Sequence, residues 1–237
     1  MNDLRLLRSL RLQLRCWSGD FRNVLRHGWG APRVNQRLFV DPAEIGHATA
    51  HWRFDRTESG HVAGGDWDLD LVPVERLAKV RLVARRMQEN LSWEEVGLYR
   101  LMMRLIEKSR SGTYDGCRTL DDVVLRYERL DALIADLGAG GAFLDGRALG
   151  HVREHGGVLV HVGREGQVIF GRTGCHRLAV ARTLGLPAIP VLLGVVHADA
   201  LHSGAFGRVV ARSRALRLAT RERGVAREPS SKAKALA

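Results

Sequence analysis

Long apolar runs are what this 237-residue chain most plainly lacks. None reaches the roughly 18 uncharged apolar residues that a membrane-crossing helix needs, so no span is expected. The leucines near the start are broken by Arg5, Arg8, Arg11 and Arg15, which removes the continuous apolar segment of a secretory signal. Cysteine is scarce: Cys16, Cys117 and Cys175 are odd in number and far apart. That spacing offers no disulfide framework and no paired-cysteine metal site, and it fits a reducing, cytoplasmic setting. Histidine does not fill the gap, because His51, His61, His151, His155, His161, His197 and His202 follow no HExxH or cysteine-paired spacing.

Positive charge is abundant, at a net +11, and it is unevenly placed. Residues 1–37 hold eight Arg against two Asp, and residues 211–237 hold eight Arg or Lys against two Glu, so the remainder is close to neutral. Basic ends attract nucleic acid or anionic lipid without any sequence readout, and they equally describe solvated tails.

Periodicity divides the chain. Residues 1–36 read as a basic helix and a linker. Leu4, Leu7, Leu10 and Leu14 share one helical face over 3–15, suited to an anionic membrane surface, a partner, or the protein's own body. Gly19, Gly28, Gly30 and Pro32 make 18–36 a loop-rich connection. Residues 37–72 open with a short strand stopped by Pro42. An extended segment with Trp52, Phe54, His61 and Val62 then ends in Gly64-Gly65-Asp66-Trp67-Asp68. Residues 73–141 read as a lobe of three helices. The first runs from Pro73 to about Asn90. The second is capped by Ser92 with Glu95 and buries Leu98, Leu101, Met102 and Leu105. The third is capped by Thr119, with Asp121 and Asp122 in its first turn. Residues 150–210 change character: a hairpin over 158–162 and 167–170, a glycine break, a helix over 175–184 and a strand over 188–193. From about Arg212 the basic, apolar-poor composition of 211–237 predicts disorder. The fold class expected is α/β (α+β), a small mixed sheet with helices plus a helical lobe.

Strand, glycine break and a helix beginning Gly174-Cys175-His176-Arg177 are a physical recipe for holding phosphate. The first N–H groups of a helix have no intrahelical partner, and the dipole adds about half a positive charge there. Gly174 allows an anion close to the backbone, Arg177 can fork two bonds onto phosphate oxygens, His176 can donate, and Arg172 adds charge. A plain strand–helix junction with a surface arginine has the same spacing.

The stretch GQVIFGRTGCHRLAVARTLGLPAIPVLL, within 157–195, resembles the core of the ParB-like and sulfiredoxin superfamily. Members of that superfamily run from a strand through Gly-x-[His/Arg]-Arg and an alanine-rich helix to Leu-Gly and an Ile-Pro-Val strand. Residues 38–45 are similar, more weakly, to the first strand of a ParB domain, which makes 73–140 an insertion or a neighbouring lobe. The resemblance implies a nucleotide phosphate at 174–177: CTP in ParB proteins, ATP or ADP in serine kinases of this fold, ATP in sulfiredoxins. It does not extend to the helix-turn-helix region that follows the domain in partition proteins. Sulfiredoxins carry Gly-Gly-Cys-His-Arg, so the resemblance places Cys175 on their catalytic cysteine, although Thr173 replaces the first glycine and the rest of the chain departs from theirs.

Two further features bear on chemistry. At a helix start beside His176 and Arg177, Cys175 is expected to have a lowered pKa and to act as a nucleophile, or else simply to fit a tight turn. Asp66 and Asp68 alternate on an extended chain and so share a side. They suit Mg²⁺ held against a phosphate, a general base, or a turn whose carboxylates cap backbone N–H groups while Trp67 packs inward. The function expected is binding of a nucleoside triphosphate, ATP or CTP with Mg²⁺, with hydrolysis or phosphoryl transfer. The alternatives are ATP-dependent cysteine sulfinic acid reduction through Cys175, and a nucleotide-switched protein that binds DNA or a protein partner.

Overall fold

Short runs of β-branched residues build a mixed, seven-stranded sheet. The computed structural model describes residues 2–51, 54–143 and 157–224, with side chains from 13 to 220 in those ranges. Helix α1 (Asn2–His27) leads into β1 (Arg37–Val40), β2 (His47–Thr49), β3 (Val62–Ala63) and β4 (Leu71–Pro73). Helices α2 (Ala78–Glu89), α3 (Leu98–Lys108) and α4 (Leu120–Gly138) follow. The chain closes with β5 (Val158–Val162), β6 (Val168–Phe170), α5 (Cys175–Thr183), β7 (Ile189–His197), α6 (Ala198–His202) and α7 (Ala205–Gly224). The sheet order is β1-β7-β5-β6-β2-β4, with β3 pairing on β7 beyond β1. Strand β7 runs parallel to β5 and antiparallel to β1, and its Ile-Pro-Val-Leu-Leu run is buried almost throughout, as a central strand covered on both faces requires.

Three apolar clusters result. One face of the sheet buries Val160, Phe170, Val191 and Leu193 under Leu178 of α5 and Phe206 of α7. The opposite face packs Ile169 and Val195 against Trp67. The three lobe helices enclose Val83, Trp93, Met102, Val123 and Tyr127, together with Ala179 and Val180 of α5. The strands over 158–162, 167–170 and 188–193 and the helix over 175–184 therefore stand where the sequence puts them, in a mixed α/β fold.

Elsewhere tertiary bonds override local reading. Helix α1 continues through the expected loop to His27, because Asp20 accepts the Val34 N–H at 2.8 Å and Asn23 donates to the carbonyls of Pro32 and Gly60, both at 2.7 Å. The first lobe helix starts at Ala78 rather than Pro73, since Leu71–Pro73 pairs with β2. The Ser92–Glu95 box forms, but it closes a turn ahead of α3. The disorder expected from Arg212 gives way to α7 as far as Gly224, docked by the Phe39 N–H donating to Ser213 Oγ at 2.7 Å and by Arg212 beside Glu44 at 3.1 Å. Residues 225–237 lie outside the described residues, as do Trp52, His151 and His155. Among the described residues no helix is long and apolar enough to cross a membrane.

Ser213 is buried, and the N–H it accepts belongs to an edge strand. Ser213→Ala leaves that N–H unsatisfied, which should cost about 1–3 kcal/mol and lower Tm by roughly 3–8 °C. An unchanged Tm in thermal denaturation would show that α7 is not docked in this way.

Candidate anion-binding site

The turn between β6 and α5 sets the site. Arg172 and Gly174 both adopt left-handed backbone, with φ of 62° and 89°. A Cβ on Gly174 would sit 2.6 Å from the Gly157 carbonyl oxygen and 2.8 Å from Val158 Cα. Glycine is therefore required here by the close approach of the start of β5. Gly174 is also the N-cap of α5, and no side chain caps the helix. The first intrahelical bond runs from the Leu178 N–H to the Gly174 carbonyl at 3.0 Å, so the amides of Cys175, His176 and Arg177 precede the helical ladder.

Those three residues line a cavity of about 710 Å³ between the sheet and the lobe. Its other walls come from one face of α4, the turn at Asp115, Lys79 of α2, and Arg56. Six Arg or Lys side chains (Arg56, Lys79, Arg126, Arg129, Arg172 and Arg177) line it against two carboxylates, Asp115 and Asp122. Asp122 is spent on the cap of α4, accepting the N–H groups of Arg118 and Thr119 at 2.9 and 3.0 Å. Asp115 pairs with Lys79 and stands 3.8 Å from Arg126. Burial alone would raise its carboxyl, but those two cations outweigh burial and hold it below the usual carboxylate range. The cavity keeps a clear excess of positive charge.

The residues expected at the phosphate take differentiated roles. His176 Nε2 shares a 2.8 Å hydrogen bond with Tyr127 Oη. Burial, then the charges of Lys79 and Arg126, push its pKa down to about 3, and burial pushes the Tyr127 phenol upward. The pair is neutral at physiological pH, so His176 contributes no charge. Arg172 donates to the carbonyls of Thr49 at 3.3 Å and Ala50 at 2.5 Å, which ties the turn to β2 while the side chain borders the cavity. The guanidinium of Arg177 lies 6.0 Å from the centre of the Phe143 ring. For Cys175 the expectation is reversed: burial pushes the thiol up despite Lys79 and Arg172, and Sγ–H donates to the Arg172 carbonyl at 3.5 Å. A protonated thiol is a weak nucleophile.

Asp66 and Asp68 are not part of this cavity. Gly174 meets β5 at Val158, whereas both carboxylates bind Arg164, beyond the opposite end of that strand. At about 3.3 Å per residue the two places are about 15–20 Å apart. Asp68 is fully buried; its oxygens accept the Arg164 N–H at 2.7 Å and the guanidinium at 2.8 Å. Burial would raise its pKa, but the bonds from Arg164 outweigh that and hold it low. Asp66 is exposed and meets the same guanidinium at 2.9 Å. The Gly-Asp-Trp-Asp turn is a structural clamp, with Trp67 packed in the core, because one arginine satisfies both carboxylates. Among the described residues no cluster of three or more His, Cys, Asp or Glu could hold a metal ion.

Sequence reasoning missed Arg56, Lys79, Asp115, Arg126, Tyr127 and Arg129. Asp122, Arg126 and Arg129 recur at helical spacing, so a polar face on α4 was legible, but its direction was not.

The low pKa of His176 has a signed consequence. An unfolded histidine titrates near 6.5, while the folded one stays neutral to about 3. Between those values the unfolded state holds more protons, so stability falls as pH drops through that window. His176→Gln should lessen that slope in urea melts between pH 6.5 and 4, leaving the share of buried His161, whose pKa burial lowers to about 4. A His176 ring that titrates near pH 6.5 by NMR would contradict the buried, neutral assignment.

Comparison with protein-family models, with curated proteins and with solved structures returns no match. The site's own chemistry is thus what speaks for its function.

Proposed function

We propose that the cavity at the start of α5 binds a nucleoside triphosphate, ATP or CTP, by its phosphates, as the resemblance of 157–195 to ParB-like and sulfiredoxin-type domains implies. One observation carries this reading. A helix N-terminus without a side-chain cap opens on a cavity that six Arg or Lys side chains line against two carboxylates. Backbone amides and the helix dipole favour the anion, Arg177 and Arg126 offer planar forks, and Lys79 offers a point charge. Tyr114, Leu130 and Leu133 line the same cavity and supply apolar surface for a base. The volume falls within the range of about 300–1,000 Å³ usual for small-molecule sites.

Mg²⁺ fits here only as a companion of the triphosphate. Asp115 offers one carboxylate, and a magnesium ion at a nucleotide keeps most of its ligands as phosphate oxygens and water. When bound it would neutralise charge on the phosphoryl group, in support of hydrolysis or transfer. Sulfinic acid reduction has less support, since the Cys175 thiol is held in its protonated form.

Calorimetric titration with ATP and CTP, with Mg²⁺ present, tests the reading. Wild type should bind one of them. Arg177→Ala removes a charge-assisted bond and should weaken affinity roughly ten- to a hundredfold. Arg177→Lys should recover part of the loss, and Cys175→Ser should leave affinity unchanged. A wild type that binds neither nucleotide at millimolar concentration, or an Arg177→Ala variant that binds as well as wild type, would overturn it.

A further inference from the structure

Helix α1 presents three faces. Cys16, Asp20 and Asn23 turn inward: Cys16 and Asp20 are buried, and Asn23 bonds the Pro32 and Gly60 carbonyls. A second face carries Leu14, Trp17, Phe21 and Leu25, spaced by three, four and four residues, and Trp29 follows just past the helix end. These five side chains are 61–86% exposed. They make up most of the large apolar side chains standing in solvent among the described residues, and the four on the helix fall on one line. The sequence repeats the spacing at Leu7 and Leu10. The third face carries Arg15, Arg22 and Arg26, all exposed, at about 100° of turn per residue to one side of the apolar line. The only acidic residue between 13 and 36 is Asp20, which is buried and paired with Arg33 at 3.7 Å.

We infer that α1 is an interfacial helix that lays the protein on an anionic phospholipid surface. The apolar line would sink into the acyl boundary with Trp17 and Trp29 at headgroup depth, and the arginine row would meet lipid phosphates. The two faces together select this occupant. Nucleic acid would satisfy the arginines but leave a line of leucines and aromatics uncovered. A second copy would cover the apolar line, but it would bring two helices, each with Arg15, Arg22 and Arg26 beside that line, onto one seam with no exposed carboxylate between 13 and 27 to offset them. An anionic bilayer satisfies both faces, and juxtamembrane arginines are each worth about fivefold in partitioning. This inference stands apart from the nucleotide cavity, to which α1 contributes no lining residue.

The test is co-sedimentation of the full chain with phosphatidylglycerol–phosphatidylcholine vesicles and with pure phosphatidylcholine vesicles, at low and high salt. Binding should require the anionic lipid and weaken with salt. Trp17→Ser with Phe21→Ser should reduce it roughly tenfold or more, as should Arg15→Gln with Arg22→Gln and Arg26→Gln. All five positions are exposed, so circular dichroism and nucleotide titration should match wild type. Blue-shifted tryptophan emission on anionic vesicles, lost in Trp17→Phe with Trp29→Phe, would support insertion. The inference is overturned if wild type ignores anionic vesicles, or if the aromatic variant binds them as well as wild type. It is equally overturned if sedimentation velocity shows a dimer that the aromatic variant splits, or if duplex DNA binds α1 in preference to lipid.

Discussion

Leu178 and Ala181 of α5 pack into the sheet core, while Ala179 and Val180 of the same nine-residue helix pack into the core of the lobe. Little of α5 is left for solvent, and its alanines are small enough to let two layers close on it. Both ends are tied. At the start, Gly174 lies against the backbone of Gly157 and Val158, where any Cβ would collide. At the end, Arg182 donates to the Ile45 carbonyl at 2.7 Å and pairs with Glu75 at 2.6 Å. A helix held this way has a fixed N-terminus, and the cavity is the space left where sheet and lobe diverge from it.

The electrostatics follow from that placement. Tyr127 belongs to the lobe core, yet its hydroxyl reaches His176 on α5, and burial keeps the pair neutral. Charge is supplied instead by arginines and a lysine drawn from separate segments: Arg56, Lys79, Arg126, Arg129 and Arg177. Asp115 holds Lys79 in place from within the same cavity. Preorganised cations in a partly dehydrated space bind an anion more strongly than the same groups in water.

Much of the sheet was legible because its strands are short, β-branched and bounded by glycine or proline, and the helix at 175 because glycine breaks precede it. The site was half legible. Residues 172–177 are contiguous, so their spacing carries a signal. The cations across the cavity come from α2, α4 and the turn at Arg56, and only the tertiary fold brings them together. Asp66 and Asp68 misled for the converse reason: two carboxylates at alternating positions look like ligands until their partner, Arg164, nearly a hundred residues away, is seen to satisfy both. Cys175 misled because proximity to cations favours a thiolate while burial disfavours it, and sequence reports only the first. The helix to Gly224 was hidden because contacts distant in sequence, Ser213 on an edge strand, Arg212 at Glu44 and Phe206 in the sheet core, dock a segment whose composition looks unstructured.

On the proposed function, α5 begins at an anion site. Backbone amide NMR during titration with inorganic triphosphate reads that most directly, because it needs neither a chosen base nor turnover. Saturable shifts concentrated at the amides of Cys175, His176 and Arg177 are expected, with the Tyr127 and Asp115 segments following. Shifts confined to the arginines of α1 and α7, or to the turn at Asp66 and Asp68, would contradict it.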